Sequence, residues 1–380
     1  MGRRGDRTGR TGYAHPTEAG GGANGASQYA ATAKRPRSVY LDALRSVALA
    51  RVVVYHALAR EWMQLFAALP LMFFVAGSLF AASLERRRPR TVVSDRYRRI
   101  LLPYWAYIIP VVGLWAWLGL LGEISPLDWV GIAIPALSAG GPQGPGLQTD
   151  IEFTWIALWY LQFHLLLALV GAPLRRAQQR RPRVLWGVLF AVFAVSWLAA
   201  SGLVIAVFYL GCWVLGYHHH DGDLRALAER WWRPICLLGV PLGLGLFLAF
   251  EPSVDSSGLA LRLAALGIAI IGVCWLLAAL GLQSWAEPLL TGRRTLSLVN
   301  WMSQRAQSIY MWHMVAIYAV LAVPMPGGEH WAGMLAWTTL GTVLACVAVG
   351  WAEDLAARRR PSMWPRLPPP AGASRPAAPG

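Results

Sequence analysis

Apolar residues in this chain come in long continuous runs, without the period of two or the three-to-four spacing that marks one-sided strands and surface helices. Runs close to the ~20 residues that cross a bilayer as a helix recur at 40–60, 65–84, 100–121, 152–172, 184–201, 203–219, 234–250, 259–281, 306–323 and 331–352. They predict an all-α, polytopic integral membrane protein with about ten transmembrane helices. The break at Ser201-Gly202 is the least marked. The apolar stretch 127–138 contains Pro135 and is too short to span, so it is expected at the interface.

The polar residues between the runs sort into two sets. One set of connections holds the basic N-terminal segment, Arg86 to Arg99, Arg175 to Arg183, Arg225 to Arg233, Arg293 to Arg305, and Arg358 to Arg360. The alternate connections hold Glu123, Asp128, Asp150, Glu251, Asp255 and Glu329, with Arg60 and Arg262 at their edges. Ten spans with both termini cytoplasmic satisfy this alternation, and removing any one breaks it. A multi-pass protein of the plasma membrane is expected.

Composition agrees. The chain is 56% hydrophobic and 14% charged, against roughly 25% charged in soluble domains. Its net charge of +15 arises from arginine clusters flanking apolar runs, which is a membrane-topology signal, and no nucleic-acid partner is expected. Residues 1–36, rich in Gly, Ala and Arg, lack the apolar core of a secretory signal peptide, and residues 358–380 are dominated by Pro and Ala. Both read as disordered cytoplasmic tails around a membrane domain at 37–357.

Cys212, Cys236, Cys274 and Cys346 have no zinc spacing and are expected to pack as small hydrophobes. Tryptophans such as Trp105, Trp115, Trp117, Trp129, Trp155, Trp285, Trp301 and Trp331 fall near span ends, as interfacial aromatics do.

The first span, YLDALRSVALARVVVYHALA, carries Asp42, Arg45, Arg51 and His56, and intramembrane charges are costly unless they face protein or a watery cavity. In one α-helix Arg45 and His56 lie about 20° apart after three turns and roughly 16 Å apart along the axis. They share a face. Asp42 is placed to cap the inner end and pair with Arg45. A neutral imidazole can accept a proton near pH 7 where a guanidinium cannot. The same residues also fit a plainer reading, with His56 as an interfacial anchor and Arg45 snorkelling. Arg51, about 240° from Arg45, finds no partner in the centre of another span.

LDALRSVALARVVVYH, with Arg45 and His56 eleven apart, resembles the opening helix of the integral-membrane acyltransferase family 3. PLMFFVAGSLF at 70–80, RYRRILLPYW at 96–105, LWYL at 158–161 and SIYMWH at 308–313 are similar to further segments of that family, in the same order. Arg51 stands where the family commonly has an apolar residue, and Gly77-Ser78 reverses its usual small pair. The resemblance implies transfer of an acyl group, most often acetyl, from acyl-coenzyme A to a hydroxyl of a carbohydrate, glycolipid or natural product, with no permanently bound cofactor.

Acyl transfer to an alcohol needs a base, or a nucleophile that carries the acyl group, and His56 is the candidate for either, with Arg45 and Asp42 supporting it. Arg96 and Arg99, with Arg98 beside them, are the candidates for the phosphates of acyl-CoA, although on charge alone they are ordinary inner-side arginines. Trp159, Ser308, Tyr310 and His313 are candidate substrate-lining residues; for His313 and His164 an interhelical hydrogen bond is the plainer role. The run His218-His219-His220 reads as a solvated loop tract, and no metal is expected. The Gly- and Pro-rich stretch SAGGPQGPG at 138–146 is a candidate acceptor vestibule. The expected partners are therefore the lipid bilayer, acyl-CoA and the acceptor. A transporter with polar residues converging at the midplane, or a noncatalytic homologue, is the competing class.

Overall fold

The computed structural model describes residues 38–135, 154–155, 158–199, 203–250 and 258–364. The helices in order are α1 (Val39–Leu58), α2 (Leu69–Arg86), α3 (Pro89–Trp117), α4 (Pro126–Ala133), α5 (Trp159–Arg180), α6 (Pro182–Leu198) and α7 (Leu203–Asp221). They continue as α8 (Asp223–Ala249), α9 (Gly258–Gly281), α10 (Arg293–Gln304), α11 (Ala306–Ala322), α12 (Trp331–Val349) and α13 (Trp351–Ala356). No strand occurs among the described residues. Helices α3, α4 and α6 each begin with a proline, whose missing N–H costs nothing in a first turn that has no intrahelical acceptor.

Each apolar run of the sequence meets a helix. Among the described residues, six segments are both long and apolar enough to cross a membrane: 61–86, α3, α7, α8, α9 and α12. Helices α6 and α11 are apolar but 17 residues long, while α1 and α5, at 20 and 22 residues, are diluted by polar side chains. Large apolar side chains such as Phe190 on α6 and Leu237 and Leu238 on α8 point outward, an exposure that suits a lipid-facing surface. The fold is that of an all-α polytopic membrane protein.

Small residues set the closest helix pairs. A methyl group at Gly77 of α2 would fall 2.1 Å from the Trp213 carbonyl oxygen, and one at Gly216 of α7 would fall 2.2 Å from that of Phe74. Helices α2 and α7 therefore touch backbone to backbone, as small-residue contacts in membranes allow. Gly243 and Gly267 do the same for α8 and α9. Around these pairs, α1 packs against α2, α10 and α11, α12 lies on α11, and α13 folds against α3.

The expectations about the tryptophans and histidines are partly corrected. Trp117, Trp285 and Trp331 are exposed, whereas Trp115, Trp155 and Trp301 are buried in packing. The tract His218–His220 lies in the last turn of α7, not in a loop. His220 Nε2 meets Glu85 at 2.8 Å, His219 Nδ1 meets Ser78 Oγ at 3.0 Å, and Trp186 Nε1 donates to His218 Nε2 at 3.2 Å. Nearby, Arg175 holds Asp221 through both oxygens, at 2.6 and 2.5 Å. This bidentate pair and its neighbours fasten α2, α5, α6 and α7 at one end of the bundle. The stretch at 138–146 lies outside the described residues.

Candidate functional site

Along α1 the polar residues meet a strip of α10 and α11. Arg45 donates to the Ser303 backbone carbonyl and, at 2.6 Å, to the Ser303 hydroxyl. That hydroxyl donates to Asp42 Oδ1 at 2.8 Å, so Ser303 on α10 joins the two charged residues of the first turns. Eleven residues further along α1, the Nδ1 of His56 lies 2.9 Å from the Nε2 of His313 on α11. Ser303 and His313 lie on successive helices on either side of Arg305, and both α10 and α11 pack against α1. His313 is completely buried.

A column of polar rings continues from this pair. Ring centroids step 5.1 Å from His56 to His313, 5.9 Å to Tyr310, 5.1 Å to Tyr160 and 5.7 Å to His164. At the far end of the column, Arg45 and Arg96 both lie within electrostatic reach of Tyr160 and His164. The Tyr160 and Tyr310 rings thus stand between the basic end and His56.

The basic end is built on the early turns of α3. The Arg96 guanidinium sits 5.9 Å above the Phe80 ring and is half-buried, while Arg99 is exposed one turn later. Arg98 pairs with Asp95 at 3.7 Å. Of the three arginines, Arg98 is therefore the one already engaged by a carboxylate at close range.

Beside His56 opens a cavity of about 400 Å³. His56, Tyr55, Trp159, Tyr209 and Tyr310 line it together with the apolar side chains of Phe193 and Phe208. Arg51 also lines it, and Arg45 points instead to Ser303. The orphan of the sequence reading is thus brought to the His56 cavity: its guanidinium donates to the Met63 carbonyl and lies 4.8 Å from the Tyr55 ring centre. Of the other candidates, Trp159 and Tyr310 reach the cavity, His313 stands beside His56, and Ser308 lies at the start of α11.

A second buried cluster lies where α13 meets α11. The Ser308 backbone N–H donates to Glu353 Oε1 at 2.5 Å, which places a carboxylate at the N-terminal end of α11, where the helix dipole favours it. Burial raises the Glu353 carboxyl from 4.5 to about 7. Arg305, fully buried, pairs with Asp354 at 2.7 Å, and Arg359 reaches the same carboxylate at 3.1 Å. The sequence reading placed Arg305 with the loop arginines and gave Glu353, Asp354 and Ser303 no role. Only an acidic pair directly after an apolar run, WAED at 351–354, offered a signal.

An all-helical membrane bundle with a histidine pair beside a cavity, and a basic face joined to it by polar rings, has the frame of an intramembrane group-transfer enzyme. The chain belongs to membrane acyltransferase family 3: the model of that family, described as an acyltransferase domain, matches residues 38–352. The protein is accordingly an acyltransferase. No curated protein and no solved structure matches the chain.

Proposed function

We propose that the protein takes an acyl group, acetyl in the first instance, from acyl-coenzyme A at the basic face and transfers it to a hydroxyl of a carbohydrate, glycolipid or natural product seated in the His56 cavity. The observation that carries this reading is the His56–His313 pair at the cavity wall, joined by the Tyr310–Tyr160 column to Arg45 and Arg96. In this reading the chain has ten spans, with both termini and the basic face on the cytoplasmic side of the plasma membrane.

Each group has a chemical task. Arg96 and Arg99 hold phosphates of the donor through charge-assisted hydrogen bonds, and its thioester arm runs along the tyrosine column toward His56. With Nδ1 engaged by His313, His56 keeps Nε2 for the reaction. The acceptor oxygen attacks the thioester carbonyl carbon while its proton passes to Nε2. The carbon–sulfur bond then breaks, and the departing thiolate takes that proton. His313 fixes the ring orientation and tautomer of its partner.

The test is label transfer from acetyl-CoA to extracts of the source cells by membranes carrying the natural chain or His56→Ala. Loss of transfer in the variant supports the assignment. Equal transfer by both would defeat it.

A further inference from the structure

Arg51 is the one strongly charged residue of α1 that the acyl-transfer chemistry leaves unused. It lines the cavity five residues from His56, yet its partners are a backbone carbonyl and an aromatic face. Its electrostatic neighbours are the Tyr55 and Tyr209 hydroxyls and the His56 ring, and its Nε has no hydrogen-bond partner among the described residues. Arg262 of α9 also lines the cavity and is likewise bonded to carbonyls, those of Gly258 and Trp197, each at 2.8 Å. No carboxylate appears among the described lining residues.

Two guanidinium groups line the cavity with no carboxylate among its described lining residues, which leaves positive charge in surroundings that are otherwise mostly apolar. Trp159, Trp197, Phe193 and Phe208 supply the apolar wall. A charge held at membrane depth costs free energy unless something compensates it, and the backbone carbonyls supply dipoles but no opposite charge. Complementarity then requires a ligand with an apolar portion for the aromatic wall and an anionic group for Arg51.

We propose that the acceptor is an anionic amphiphile, a carboxylate- or phosphate-bearing molecule with an apolar tail, whose acidic group is gripped by Arg51, with Arg262 adding positive charge to the same cavity. The inference rests on the reading of this cavity as the acceptor site. It narrows the acceptor to one charge class and gives Arg51 a selective role.

The experiment uses the full chain in phosphatidylcholine nanodiscs and two probes of equal tail length, dodecyl β-glucuronide and dodecyl β-glucoside. Equilibrium binding of each is measured, followed by acetyl transfer to each from acetyl-CoA. The natural chain is expected to bind the glucuronide about tenfold more tightly or better, the scale of one hydrogen bond to a charged group. Arg51→Gln should bring the ratio close to one, and Arg51→Lys should keep most of it. His56→Ala should keep the binding preference while losing transfer. Equal binding of both probes by the natural chain overturns the inference, a result that needs no variant to fold. So does loss of glucuronide binding when phosphatidylglycerol is added to the discs, because the cavity is then a site for bulk anionic lipid. Charge-selective binding with no acetyl transfer to the bound glucuronide upholds Arg51 as an anion grip but overturns the identification of the bound amphiphile as the acceptor. Acetylation of both probes with equal affinity upholds the acyl-transfer reading and removes this one.

Discussion

His56 Nδ1 and His313 Nε2 stand 2.9 Å apart across the contact of α1 and α11, and that single distance restricts the chemistry of both rings. One nitrogen must donate and the other accept. If Nδ1 of His56 carries the proton, its Nε2 lone pair is free to act as a base. If His313 donates, His56 is protonated on Nε2 and cannot take a proton there.

The pair gives the first prediction. Removing a general base typically costs 10²–10⁴-fold in rate, so His56→Ala should lose activity on that scale. His313→Leu should lose on the order of tenfold to a hundredfold in kcat with the KM for acetyl-CoA little moved. His313→Gln, whose amide oxygen can still accept from Nδ1, should recover much of the loss. Steady-state kinetics on the three variants decide the matter, and an equal loss for Leu and Gln would remove the tautomer role.

Donor binding gives the second. Arg96 sits beside the tyrosine column, whereas Arg98 is engaged by Asp95 at 3.7 Å. Arg96→Gln should raise the KM for acetyl-CoA about tenfold with kcat held within roughly twofold, the pattern of lost uniform binding. Arg98→Gln should raise it less. Parallel titrations of acetyl-CoA on both variants test this, and a larger effect at Arg98 would reverse the assignment.

A third prediction concerns the frame. The Cβ of alanine at position 77 would lie 2.1 Å from the Trp213 carbonyl oxygen, so α2 and α7 must move apart to admit it. Overpacking of this kind costs about 1–3 kcal/mol. Gly77→Ala should lower the melting temperature of the detergent-solubilised chain, while Gly187→Ala, where a methyl group meets nothing within 4 Å, should leave it nearly unchanged. Comparable melting of both would show that the helix contact is loose.

The fourth is a pH dependence. Burial lifts the Glu353 carboxyl from 4.5 to about 7, so the folded chain retains a proton there that the unfolded chain releases at lower pH. This contribution to stability is greatest below the unfolded value and declines as pH rises from 4.5 to about 7, by on the order of 3 kcal/mol. Glu353→Gln, uncharged throughout, should flatten that part of the profile. Melting temperatures measured at about pH 5 and about pH 7.5 on both chains would show the difference, and parallel profiles would count against a protonated Glu353.

How much of this was legible in the sequence depends on range. Long apolar runs need no partner to be recognised, and His56 and Arg45 were visible because each interrupts such a run. The contact of His56 with His313 was not, since 257 residues separate them and either ring alone is compatible with an ordinary interhelical bond. Arg305 read as one more loop arginine because nothing local distinguishes a solvated guanidinium from one closed over by Asp354 and Gly350. Arg51 shows the limit of angular reasoning. It lies off the face shared by Arg45 and His56, but a cavity wider than one helix stripe reaches it nonetheless.

The bond from the Ser308 amide to Glu353 ties the root of the helix bearing Tyr310 and His313 to a short segment more than forty residues later in the chain. A disturbance at that late segment is therefore transmitted along a rigid rod to the imidazole pair. Tags or partners attached near residue 353 have a mechanical route to the reaction, though they touch neither substrate.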